Sequence, residues 1–148
     1  MMFREIEEAD WPAILEVANA SFEFLPQRIT QEEWLHHRRN FDTERGLQIH
    51  RVKVDDAGRI VGYVGVESDG QRYRMFMVTA NPDLPTLGTL LYERAMAILE
   101  EQGAPGVALT ECIDDPLIAF GRERGFVEVR RFEWKPGIEI ITMYKSLP

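Results

Sequence analysis

At 148 residues the chain is long enough for one domain, residues 1–148, around one full core. Its 45% hydrophobic and 28% charged content is that of a globular chain rather than a disordered one, and a net charge of −8 argues against a nucleic-acid or anionic-membrane partner, both of which need a basic face. The single cysteine, Cys112, excludes an internal disulfide; no run approaches the roughly 18 apolar residues of a membrane helix and the acidic start is no secretory signal, so a cytoplasmic location is expected.

In chain order, Phe3 to Ile6 reads as a short strand. Asp10 is then a suitable N-cap for a helix whose buried stripe is Trp11, Ile14, Leu15, Ala18 and Phe22, with Pro12 in its first turn. Phe22 to Pro26 is an apolar connection. Thr30, with Glu33 three residues on, forms a capping box for a second helix, from which Trp34 and Phe41 pack inward. Leu47 to Val54 and Arg59 to Val66 are strands joined by the hairpin loop Asp55–Gly58. Gly62 and Gly65 weaken the second strand unless another group approaches closely there.

The stretch from Tyr73 to Gly103 organises the rest. Tyr73 to Thr79 has the β-branched, aromatic and methionine content of a buried strand, and Asn81-Pro82-Asp83 breaks it, because Pro82 cannot donate to a ladder. A helix follows from about Pro85, its start falling between Leu84 and Gly88, and ends by Gly103. A strand, a tight turn and a helix N-terminus converge backbone amides and a partial positive charge on one spot, which suits a phosphate; an ordinary βα unit with a polar turn reads the same way. Gly106 to Cys112 is the next strand. Asp114-Asp115-Pro116 caps a short helix, Leu117 to Arg124, that Gly125 stops, and Phe126–Lys135 with Ile138–Leu147 closes the chain as a hairpin around Pro136-Gly137. The expected fold class is α/β (α+β): a mixed, mostly antiparallel sheet with a central βαβ crossover.

Asn81-Pro82-Asp83 followed by Leu87-Gly88-Thr89-Leu90-Leu91, and the run Leu117 to Phe126 ending in Gly125-Phe126, resemble the strand-to-helix turn and the later helix of the GCN5-related N-acetyltransferase family. Nearly the whole chain can be laid on that family's order of elements, an acyl-CoA N-acyltransferase-like fold. The resemblance implies acetyl-CoA as co-substrate without a metal, and direct attack by a small-molecule or peptide amine, with a homodimer as a possible state. It places the pyrophosphate on the amides of Thr86, Leu87, Gly88, Thr89 and Leu90, the pantetheine arm beside Val78, Thr79 and Ala80, and Phe120 at the coenzyme.

Departures accompany the match. The turn is about two residues shorter than the family's, with Asp83 where Arg or Gln usually stands and Thr86 where a glycine does. An aspartate near an incoming pyrophosphate is unfavourable. Gly121 occupies the position of the tyrosine that often protonates the departing thiolate. For the catalytic roles the resemblance implies Glu111 as base, with Glu67 as the other candidate, and Tyr144 in place of the missing acid. Cys112 reads as a nucleophile or, more simply, as an inert core residue.

Arg122, Arg124, Arg130 and Arg131 could meet phosphates or form a surface patch, and Phe22, Phe24, Leu25 and Trp34 could line an acceptor site or simply fill the core. His36, His37 and His50 lack ligand spacing, and the pairs Glu32–His36 and Glu33–His37 explain the first two as a charged helix face. Beside the enzyme stands a rival of another class, a non-catalytic module of the same fold: ligand-binding, dimerising or half of a tandem pair.

Overall fold

Side chains in a strand alternate between faces, so a strand buried along its length must be covered on both. β3 (Ile60–Ser68) is buried from Gly62 to its end and lies inside the sheet. The computed structural model describes residues 2–22, 48–79 and 84–148. Within them run β1 (Met2–Glu5), a 3₁₀ turn (Glu8–Asp10), α1 (Trp11–Phe22), β2 (Gln48–Val54), β3, β4 (Tyr73–Thr79), a π turn (Leu84–Gly88), α2 (Thr89–Glu101), β5 (Gly106–Cys112), α3 (Pro116–Glu123), β6 (Val127–Lys135) and β7 (Ile138–Ser146). The expected helix from Thr30, with Trp34 and Phe41, lies outside the described residues, as do Phe24, Leu25, His36, His37, the Asn81–Asp83 turn and Ala80.

The seven strands form one sheet in the order β1-β2-β3-β4-β5-β7-β6. Every neighbouring pair is antiparallel except β4 and β5, which α2 connects. One face carries the main core: Val64 and Val66 of β3, Met75 and Met77 of β4, Val107 and Leu109 of β5, and Ile141 and Met143 of β7 pack beneath Leu91, Ala95, Ile98 and Leu99 of α2 and Ile118 and Phe120 of α3. The alternate residues face α1, whose Trp11 and Ile14 pack on Val52, Tyr63 and the half-buried Val78. Gly62 has its reason in this layering. A Cβ there would stand 3.2 Å from Leu91 Cδ2, so the glycine lets α2 settle onto β3.

Local signals hold for most boundaries and fail at Asp10. Asp115 caps α3 as expected, its carboxylate accepting the Leu117 amide at 2.8 Å, and Gly125 follows the helix with φ 93°. Asp10 does not cap α1. It closes the 3₁₀ turn instead, and its carboxylate turns back to accept from the Arg4 guanidinium at 2.7 and 2.9 Å and from the Glu7 amide at 2.8 Å. The helix expected from about Pro85 opens with the wide π turn, and regular α geometry begins only at Thr89.

Candidate functional site

Parallel strands normally hold together through an even ladder of slanted bonds. Among the described residues β4 and β5 are bridged at a single register position, Arg74 opposite Ala108, early in both strands. β4 stays paired with β3 as far as Thr79, and β5 with β7 as far as Cys112, so each is held by its outer neighbour while the two part from each other. The result is a wedge in the middle of the sheet. It is closed at Arg74 and Ala108 and open toward the C-terminal ends of both strands.

On the helix face the mouth of the wedge lies under the start of α2. Unpaired first-turn amides and the positive end of the helix dipole gather there. Thr86 is exposed, Leu87, Thr89 and Leu90 are half-buried, and Gly88 is buried with ordinary helical angles of −60° and −39°. The Thr89 hydroxyl donates to the Pro85 carbonyl at 3.0 Å. A cation reaches this turn from α3: Arg124 Nη2 lies 3.4 Å from Thr89 Oγ1, and Nη1 donates to the Phe120 carbonyl at 3.1 Å. Its guanidinium sits 3.4 Å from the Phe120 ring centre and 5.4 Å from that of Tyr92, two rings packed edge to face.

Of the four arginines singled out in the sequence, Arg124 is thus the one joined to α2. Arg122 and Arg131 are paired with Glu128, and Arg130 lies over Phe132. Thr79, the last described residue of β4, is buried. Val78, beside it, faces α1.

The two expected catalytic residues are not brought together. Glu111 stands opposite Ile141 and Tyr144 opposite Ala108, three positions along β5 and therefore on opposite faces. Glu111 is half-buried on the helix face near the open end, where its carboxyl bonds to that of Asp115; burial pushes the Asp115 carboxyl up, against the pull of the Leu117 amide and of Glu111. Tyr144 is on the α1 face beside the closed end. Its ring lies across Gly106, so that a Cβ on that glycine would fall 1.8 Å from the tyrosine oxygen.

Glu67, the second candidate base, is 3% exposed on the α1 face. It lies directly opposite Arg74 in the register, with Oε1 3.3 Å from Arg74 Nε. Glu67, Arg74, Ala108 and Tyr144 therefore form one row across β3, β4, β5 and β7 at the level where the wedge closes. Next to the row, buried His50 Nδ1 is hydrogen-bonded to Tyr63 Oη, and a Cβ on Gly65 would lie 3.1 Å from that nitrogen. The close approach expected at Gly65 is this pair. Sequence reading missed the His50–Tyr63 contact, because residues 13 apart show no local pattern.

Cys112 is buried beside Ile138, and among the described residues no group of three metal-ligating side chains occurs. No helix among them is long and apolar enough to cross a membrane. Position 121 points into the core: a Cβ there would lie 2.8 Å from Met143 Cε and 3.3 Å from Leu109 Cδ2. A tyrosine at 121 would displace core packing.

No protein-family model matches the sequence. No curated protein matches it either. Solved structures do match, along nearly the whole chain. An acetyltransferase of the GNAT family from Staphylococcus aureus superposes with a TM-score of 0.77 at 17% identity, covering 99% of both chains. A ribosomal-protein-alanine N-acetyltransferase from Brucella melitensis gives 0.69 at 18% identity over 99% of this chain and 100% of its own. A variant of spermidine N-acetyltransferase from Vibrio cholerae gives 0.70 at 15% identity over 99% and 95%. The chain has the fold of the GCN5-related N-acetyltransferases, with the mixed sheet and single parallel pair expected.

Proposed function

We propose that the protein transfers an acetyl group from acetyl-CoA to an amine by direct attack, across the wedge between β4 and β5. The observation that carries this is the parting of β4 and β5 beside a helix N-terminus that Arg124 supplements. In this reading the pyrophosphate rests on the amides of Thr86 to Leu90 with Arg124 alongside. The pantetheine arm enters the wedge beside Val78 to Ala80, and Phe120 supports Arg124 from below. Arg124 supplies the positive charge that the turn itself lacks.

The amine approaches from the α1 face. Glu67 lies there, next to the closed end of the wedge, and takes up the amine proton directly or through one water. Attack forms the new C–N bond and breaks the thioester C–S bond; the proton for the departing thiolate comes from Tyr144 in the same row. Glu111 is assigned no base role, since it lies on the other face of the sheet from Glu67 and Tyr144. Spermidine and a ribosomal-protein alanine, the acceptors named for two structural neighbours, define the chemical range to test: polyamines and peptide N-termini.

Gly121 favours a second reading, a module that binds coenzyme without catalysis. Calorimetric titration with acetyl-CoA, followed by mass spectrometry of an amine panel, separates the two. Saturable binding and acetylated product support the enzyme, and Glu67→Gln should then lower turnover about 10²- to 10⁴-fold with acetyl-CoA affinity unchanged. Binding without product on any amine leaves the module. A folded protein that does not bind acetyl-CoA removes both.

A further inference from the structure

Across the first three strands, Phe3 stands opposite Lys53 and Lys53 opposite Gly62, a row on the sheet face that α2 covers. Leu91 fills the space over Gly62, and Arg94, one turn further along α2, reaches the other end of the row. The Arg94 guanidinium lies 4.6 Å from the centre of the Phe3 ring and the Lys53 ammonium 4.3 Å from it. Lys53 is 4% exposed, yet its Nζ is not one of the enclosed polar atoms. The stem is buried and the charge comes to the rim beside Phe3.

Neither cation has a carboxylate partner among the described residues. Glu5, the acid of β1 on this face, is paired with Arg51 at 3.4 Å, and Asp55, two residues beyond Lys53, with Arg59 at 3.1 Å. Three and four residues from Arg94 along α2 stand Leu90, Leu91, Ala97 and Ile98, none of them acidic. The Phe3 ring attracts both cations but neutralises neither. Burial first, and Arg94 second, hold the Lys53 ammonium below its ordinary value, a penalty that a bound anion would relieve. In a chain of net charge −8, two uncompensated cations converging on one ring need a reason.

We propose that Lys53 and Arg94 form a binding site for a phosphate group, free or on a small molecule, separate from the proposed coenzyme site. A phosphate monoester is close to doubly negative at neutral pH and balances both cations, whereas a carboxylate balances one. Arg94 offers paired donors and Lys53 a point charge, and exposed Arg94 leaves the entrance open. Tyr92, which meets Arg124 and Lys145, stands about 200° from Arg94 around α2, so the two sites lie on opposite flanks of the helix.

Nitrogen-15 correlation spectra of the full chain at low ionic strength test this, with inorganic phosphate, glycerol phosphate and acetate as probes. Both phosphates should shift the amides of Phe3, Lys53 and Arg94 saturably at millimolar concentration, the tighter one showing whether a free or an esterified group is preferred, and acetate should bind about ten-fold more weakly. Lys53→Met, which keeps the buried stem, and Arg94→Gln, at an exposed position, should each weaken phosphate about ten-fold, leaving acetyl-CoA affinity unchanged and the urea midpoint no lower. Four results would each overturn the site: no saturable shift at these residues up to phosphate on the order of 50 mM, acetate binding as tightly, phosphate binding unaltered in both variants, or acetyl-CoA weakened in step with phosphate.

Discussion

Arg124 offers the sharpest test of the proposed coenzyme site, because its structural and binding duties are read by separate measurements. Arg124→Gln removes a cation lying over Phe120, a bond to the Phe120 carbonyl and the guanidinium beside Thr89. The first two affect the fold: a cation–π contact of about 0.5–1 kcal/mol and a hydrogen bond to a carbonyl of about 0.5–1.5 kcal/mol give a loss of roughly 1–2.5 kcal/mol. The third matters only with a phosphate present. A charge-assisted contact is worth about 1.5–3 kcal/mol, so acetyl-CoA should bind roughly ten- to hundred-fold more weakly. Calorimetry at two ionic strengths reads the affinity and urea unfolding reads the stability. Arg124→Lys should recover part of the affinity, since it keeps the charge, but not the stacking on Phe120. If Arg124→Gln binds acetyl-CoA as tightly as the unmodified protein while losing stability, the residue is a clamp between α3 and α2, and its role at the phosphates is wrong.

Gly62→Val should destabilise by about 1–3 kcal/mol in urea, because the added branch meets Leu91 from 3.2 Å; unchanged stability would mean α2 can lift from β3 at no cost. The Asp10 carboxyl is held below its ordinary value of 3.8, first by the Arg4 hydrogen bonds, so its contribution to stability is present above that pH and lost as the pH falls through the folded-state value. Asp10→Asn should therefore flatten the acid limb of the stability profile, and an unaltered limb speaks against the pairing. The Asp115 carboxyl is shifted the other way, first by burial, so its contribution favours the folded state at low pH and fades as the pH rises from 3.8 through the raised value. Asp115→Asn, which keeps an N-cap, should equal or exceed the unmodified protein at pH 7, whereas Asp115→Ala should lose about 1 kcal/mol; equal losses in both would contradict this.

The parts of this fold legible in the sequence are those set by neighbours along the chain. The strand content of 73–79, the cap at Asp115 and the glycine after α3 each act within a few residues, and each stands where periodicity and capping put it. Asp10 shows the limit. Its spacing before Trp11 suits an N-cap, but Arg4 on β1 draws the carboxylate away, and a partner in a separate element leaves no mark in helix periodicity. Arg124 and Thr89 lie 35 residues apart, so a basic patch and a phosphate ligand looked alike until α3 was set against α2. Glu67 reads in the sequence only as a candidate base ending the third strand. It is buried because the next strand returns Arg74 directly across from it.

The same register gives the site its division of labour. Where β4 and β5 part, the sheet stops being a wall and joins its two faces. Val64, Met77, Leu109, α2 and α3 fill one side, while Glu67, Arg74, Ala108 and Tyr144 lie on the other, the side of α1. A single strand position moves a side chain from one face to the other, as Glu111 and Thr110 illustrate. On the proposed reading, changes at Arg124 act on coenzyme affinity and changes at Glu67 on the attack of the amine. Lying on separate faces, the two should combine additively in free energy, apart from coupling through the acetyl group they both serve. A strong interaction between them with a coenzyme analogue lacking the acetyl group would place both on one face of the reaction, contrary to the register.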